Sequence, residues 1–228
     1  MKNWDDYWNS TNINRKIMEV WATYFVGACV DYLSDTSEDV VLDFGAGYGH
    51  VSNLLRDKVR KIYLFDKAPY MQDFLHSHFD GEPNMKVVSE WNEIPEKVTL
   101  IIVNSVSQYI SKEDFRQVLL YFSQITDHRS RVIISDIIPE GYSLLADFTQ
   151  QLTIGIRHGF FRKLIAYAVS NMLYKPSLVL SDNEMVTYKR EEMVKLLTET
   201  GFQAEISPVN FTYSKKRFTV IARPSAIG

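Results

Sequence analysis

Residues Val40-Val41-Leu42-Asp43-Phe44-Gly45-Ala46-Gly47-Tyr48-Gly49 form an apolar run that ends in glycines at alternate positions. The run reads as a buried strand, and the glycines as the turn that follows it. Glycine adopts backbone angles that other residues resist and carries no Cβ, so a ligand can approach the main chain closely. The next residues, His50-Val51-Ser52-Asn53-Leu54-Leu55-Arg56, start a helix whose first N–H groups face back toward that turn.

From Val40 onward, short apolar runs alternate with amphipathic ones, which is the pattern of a parallel sheet covered on both faces. Strands are expected at Val40–Phe44, Lys61–Phe65, 85–88, 99–103 and 131–135, and helices at 50–58, Pro69–Phe79 and Lys112–Ile125. Pro69 suits a first helical turn and Ser111 a cap. Before this core, residues 15–33 show helical spacing through Ile17, Val20, Trp21, Tyr24 and Phe25. After it, residues 137–180 are long, apolar and aromatic and read as an inserted helical cap. A helix over 188–200, stopped by Gly201, then leads to strands at 202–208 and 217–222. The expected fold is α/β: a doubly wound, mostly parallel sheet with a terminal antiparallel hairpin and a helical cap insertion. One domain is expected, with 1–39 as a helical N-terminal lid, 40–136 as the core, 137–180 as the cap and 181–228 as the final helix and hairpin.

With 228 residues and 46% hydrophobic content, the chain can bury one substantial core. A formal net charge of −3 gives no general attraction to nucleic acid. The single cysteine, Cys29, excludes an internal disulfide and suits a reducing compartment. No basic leader and no run of ~20 apolar residues is evident, so a cytoplasmic protein without integral membrane association is expected.

Open sheets of this kind bind ligands at the carboxyl ends of their strands. The residues there are Asp43 with its glycines, Asp66, Glu90, Asn104 and Asp136. Asp66 lies about twenty residues beyond the glycines, where a carboxylate can accept both hydroxyls of an adenosine ribose.

Together these residues resemble class I S-adenosylmethionine-dependent methyltransferases. Asp43-Phe-Gly-Ala-Gly-Tyr-Gly is similar to the first motif of that family, and Asp66 stands where it has a ribose-binding acid. Ser89-Glu90-Trp91-Asn92-Glu93-Ile94-Pro95 resembles its Gly-Asp-Ala-Glu-Asp-Leu-Pro segment, with Ser89 and Glu90 replacing the usual glycine and aspartate. The resemblance covers about residues 40–136, and the terminal hairpin suits the family's seven-stranded sheet. It implies S-adenosyl-L-methionine as cofactor. Gly45, Ala46, Gly47 and Gly49 would lie against the methionine portion, with Asp43 orienting its ammonium. Asp66 and Lys67 would flank the ribose, Glu90 would take the adenine amino group, and Trp91 would offer its backbone N–H to the ring. Asn104 and Ser105 would border the sulfonium.

Two rival cofactor sites fit less well. A dinucleotide fingerprint needs Gly-x-Gly-x-x-Gly, but His50 stands where its third glycine would fall. A phosphate loop would need a lysine and a hydroxyl after the glycines, and neither is present.

The implied reaction transfers a methyl group to oxygen or nitrogen of a small, partly apolar metabolite. Such an in-line displacement depends chiefly on alignment. A hydroxyl acceptor would also use a base, and histidine is the first candidate near neutral pH. Of the five histidines, His158 is the candidate, beside Arg157, Phe160, Arg162 and Lys163; a surface role is the alternative. Trp4, Tyr7, Trp8, Tyr109 and Phe160 are candidate walls of an acceptor pocket. The basic and aromatic residues of the cap also leave peripheral membrane contact open. A lipid or protein acceptor, and a non-catalytic cofactor-binding protein, are the alternative functions. No metal site is expected, since scattered acids such as Asp136 and Glu140 are ordinary polar rims.

Overall fold

A computed structural model describes residues 15–33, 38–91, 93–142, 156 and 185–225. Seven strands form one sheet: β1 (Val40–Phe44), β2 (Lys61–Phe65), β3 (Met85–Val87), β4 (Leu100–Asn104), β5 (Arg131–Ile137), β6 (Phe202–Ile206) and β7 (Phe218–Pro224), in the order β3-β2-β1-β4-β5-β7-β6. The first five run parallel, and β7 is antiparallel to both β5 and β6. The mostly parallel sheet with a terminal antiparallel hairpin is therefore present. Every residue of β1 is buried, as its unbroken apolar reading requires of a central parallel strand.

Helices α1 (Arg15–Cys29), α2 (His50–Leu55) and α3 (Pro69–Phe79) follow the expected sequence, with α4 (Lys112–Ile125) before β5 and α5 (Arg190–Glu199) before β6. Alternating strand residues supply the two faces. Val41, Ile62, Leu64 and Ile102 pack with Phe25 of α1, Leu55 of α2 and Leu75 and Phe79 of α3. Leu42, Phe44, Phe65 and Val103 pack with Phe115 and Phe122 of α4 and Met193 and Leu197 of α5. Phe44 meets Phe122 edge-on at 5.3 Å, which fixes α4 against the central strand. Cys29 is fully buried on the first face, and burial pushes its thiol up to about 12, so it is an inert core residue.

The helix expected over 50–58 ends as α-helix at Leu55 and tightens into a 3₁₀ turn at Arg56–Lys58. Strand β5 runs to Ile137, two residues beyond its expected end. Its register against β7 shifts between Ile134 and Ile137, so a bulge lets the pairing resume. Pro69 begins α3, and Ser111 caps α4 by accepting the Asp114 N–H at 3.1 Å.

Strand order reverses between β1 and β4, since β2 and β3 extend to one side of β1 and β4 and β5 to the other. The crevice at that reversal is where such sheets take ligands. Register places the relevant ends level: Phe44 pairs with Phe65 and Asn104 with Ser135.

Candidate functional site

The glycine turn is fastened to the neighbouring strand through its main chain. Gly45 and Ala46 donate their N–H groups to Phe65 O at 2.8 and 2.9 Å, and Gly47 donates to Asp66 Oδ2 at 2.8 Å. The other oxygen of Asp66 accepts from Ala68 N–H at 2.9 Å. The half-buried Asp66 carboxylate is thus fixed in orientation, with both oxygens accepting from main-chain N–H groups. Gln72 clips the adjoining ends together: its Nε2 donates to Asp66 O at 2.7 Å and Ser89 O at 3.0 Å.

Gly45, Gly47 and Gly49 all have left-handed φ, but their surroundings differ. A Cβ at Gly45 would lie 2.4 Å from Val106, and one at Gly49 2.4 Å from Phe79, so protein fills those spaces. A Cβ at Gly47 would meet nothing within 4 Å. Gly47 therefore has open space where a side chain would stand, beside the Asp66 carboxylate.

Asp43 lies beneath this turn, 3% exposed, and accepts a hydrogen bond from Ser52 Oγ at 2.6 Å. Burial pushes its carboxyl up to about 6, the Ser52 hydrogen bond opposes that shift and the Asp66 charge adds to it. Such a carboxylate gains from a cation brought near it.

Glu90 is exposed, as is Lys67, both on the β2–β3 side of the crevice. Trp91 packs its ring against the core and meets Tyr121 edge-on at 4.7 Å. Its indole is thus a core group, and only its backbone is available for the expected ring contact. Asn104 ends β4, and its buried Oδ1 has no hydrogen-bond partner among the described residues. Ser105 follows with φ 60°, and Tyr109 closes the 3₁₀ turn Ser107–Tyr109. The cofactor candidates Asp43, Gly45, Ala46, Gly47, Gly49, Asp66, Lys67, Glu90, Trp91, Asn104 and Ser105 all belong to segments at or just beyond the carboxyl ends of β1 to β4. Trp4, Tyr7, Trp8, His158 and Phe160 lie outside the described residues.

Sequence reading missed the partners of Asp136. Its carboxylate accepts from Arg217 Nη1 and Thr212 Oγ1, each at 2.6 Å, and from Ser105 Oγ at 2.8 Å. Glu140 pairs with Lys189 at 3.7 Å, so both acids of the weak metal reading face protein cations. Two of the other histidines have local partners: His76 pairs with Asp80 at 2.9 Å, and His78 stacks on Phe74 at 3.7 Å. Among the described residues no cluster of three or more His, Cys, Asp or Glu could hold a metal ion, and no helix is long and apolar enough to cross a membrane.

No protein-family model and no curated protein sequence matches this chain. Solved structures do. Magnesium protoporphyrin IX methyltransferase from Synechocystis PCC 6803, with bound SAH, is 16% identical and aligns over 97% of this chain and 93% of its own, with a TM-score of 0.59. The mitomycin 7-O-methyltransferase is 14% identical with a TM-score of 0.64; the alignment spans 98% of this chain but 61% of that one. A chain from the complex between the Haloferax volcanii Trm112 methyltransferase activator and the putative methyltransferase is 12% identical, covers 99% and 100%, and has a TM-score of 0.65. The chain has the fold of class I S-adenosylmethionine-dependent methyltransferases.

Proposed function

We propose that the protein is an S-adenosyl-L-methionine-dependent methyltransferase acting on oxygen or nitrogen of a small, partly apolar metabolite. The observation that carries this reading is the open face of Gly47 beside the fixed Asp66 carboxylate. The open space suits bare contact with a ligand, and the carboxylate suits a vicinal diol. A second fit comes from Asn104, whose buried amide oxygen lacks a partner among the described residues.

The residues divide the work by chemistry. Asp66 would hold the ribose hydroxyls and Lys67 would flank them. Asp43 would face the ammonium, with Gly45, Ala46, Gly47 and Gly49 along the methionine portion. Glu90 and the Trp91 N–H would receive the adenine, and Asn104 and Ser105 would border the sulfur. The bound cofactor supplies an activated methyl group. The protein's remaining task is to exclude water and hold the nucleophile in line, which can lower a barrier by roughly 7–11 kcal/mol. Tyr109, with Trp4, Tyr7, Trp8 and Phe160, would wall the acceptor, and His158 would take the proton of a hydroxyl acceptor.

The small-molecule reading draws support from neighbours of the same fold. The mitomycin 7-O-methyltransferase and human N-acetylserotonin methyltransferase, the latter solved with SAM, share it at TM-scores of 0.64 and 0.60. Isothermal titration with S-adenosylmethionine and S-adenosylhomocysteine tests the proposal. Both should bind, and Asp66→Ala should weaken binding by about 100-fold through loss of two charge-assisted hydrogen bonds. Unchanged affinity in that variant refutes the ribose assignment. Labelled donor incubated with metabolite pools would then identify the acceptor.

A further inference from the structure

Ser105 and Asp136 are the non-glycine residues with left-handed φ among those described, at 60° and 65°. They follow the paired residues Asn104 and Ser135 of adjacent strands, and they are bonded to each other. Backbone held in this region costs about 1–3 kcal/mol per residue, and it persists only where its surroundings over-determine it. Here they do. Ser105 N–H donates to Ser135 O at 3.1 Å, its Oγ donates to Asp136 Oδ2 at 2.8 Å, and its carbonyl accepts from Gln108 Nε2 at 2.8 Å.

Asp136 is gripped in turn. Arg217 bonds the same Oδ2, Thr212 bonds Oδ1, and Asn210 Oδ1 accepts the Asp136 N–H at 3.4 Å. The side chains of Arg217 and Asp136 are 12% and 11% exposed, so the ion pair is nearly dry. The Arg217 guanidinium also lies 5.4 Å from the Tyr142 ring centre, at the root of the cap segment. A buried ion pair gives little net stability over apolar side chains of equal volume. Combined with two strained residues, it is a poor way to stabilise a sheet and a good way to fix one corner.

We infer that Asp136 and Arg217 are positioning residues: their ion pair clasps Ser105 and so aims the neighbouring Asn104 amide oxygen at the sulfonium. The inference rests on the functional reading above. With the corner clasped, a carbonyl dipole faces the cofactor's positive centre. With the clasp released, Ser105 relaxes toward ordinary backbone angles, Asn104 shifts with it, and that contact is lost. The adenosine grips on β1, β2 and β3 are untouched.

S-adenosylmethionine and S-adenosylhomocysteine differ in one methyl group and its positive charge, so their affinities separate the two roles. Titration of wild type, Ser105→Ala and the double variant Asp136→Asn/Arg217→Gln should show S-adenosylmethionine affinity falling about tenfold in both variants, with S-adenosylhomocysteine held within about twofold. The double variant leaves no unpaired buried charge; if it does not fold, Ser105→Ala decides alone. Equal weakening of both ligands, or no change in either, overturns the clasp while leaving the functional reading intact. Wild type that binds neither ligand overturns the functional reading, and the clasp falls with it.

Discussion

Along β1 and β2 the carboxyl edge of the sheet is secured by main-chain N–H groups and opened by glycine; along β4, β5 and β7 it is secured by side chains around an ion pair. The first construction leaves open space at Gly47 and fixes the Asp66 carboxylate beside it. The second ties its charged and hydroxyl side chains to one another and leaves the amide oxygens of Asn104 and Gln108 buried without a partner among the described residues. On the proposed reading, one half receives a molecule and the other stays in one conformation while it does so.

Substitutions should separate these halves. Arg217→Met strips the clasp half of its cation and leaves Asp136 buried, which should lower unfolding stability by roughly 3–5 kcal/mol in denaturant titration. A loss below about 1 kcal/mol would remove the distinction. Within the glycine turn, Gly49→Ala drives a methyl into Phe79 and Leu75 at a left-handed position and should cost about 2–4 kcal/mol. Gly47→Ala meets open space, so it should cost only the backbone strain of about 1–2 kcal/mol while still blocking S-adenosylmethionine. Thermal denaturation and titration of the same two proteins would expose any departure from that ranking.

Asp43 should impose opposite pH trends on stability and binding. Its carboxyl lies near 6 in the folded protein against 3.8 ordinarily, so the native state holds the proton more tightly than the unfolded chain. Its stabilising contribution is full below about pH 4, declines as pH rises toward 6, and is spent above that. Between pH 4 and 7, wild type should lose about 1–3 kcal/mol relative to Asp43→Asn. Affinity for S-adenosylmethionine should rise across the same window as the carboxylate forms. Parallel pH profiles for the two proteins would contradict the assignment. Smallest of all, Ser111→Ala removes a cap remote from both halves; it should cost about 1 kcal/mol and leave cofactor affinity unchanged.

Much of the receiving half was legible in the sequence because its signals are local. Val40–Phe44 is unbroken and apolar, glycines mark the turn, and Pro69 and Ser111 mark helix starts, so β1, β2, α3 and α4 have the bounds expected of them. The clasp half was not legible, for two physical reasons. Ser105 and Asp136 take left-handed angles without the glycine that normally announces them. Thr212 and Arg217 lie 76 and 81 residues from Asp136, and only strand pairing brings them to it. The early end of α2 depends on the tight turn at Arg56–Lys58, which hydrophobic spacing does not reveal. Trp91 shows a third case: its ring is held by Tyr121, a placement the sequence left open beside the main-chain contact expected of it.

The chain departs beyond β5 at Tyr142 and is back alongside it at Tyr188, which forms an isolated bridge with Pro139 and donates its N–H to Ile138 O at 3.0 Å. Val186 is tied to Gln108 O at 3.0 Å just before that return. Because closing a longer chain segment adds only about 0.6 kcal/mol per doubling of length, these two anchors fix where the chain leaves and rejoins the sheet without fixing how many residues lie between. Evolution, or an engineer, can therefore change the length between those anchors while the paired strands on either side keep their register.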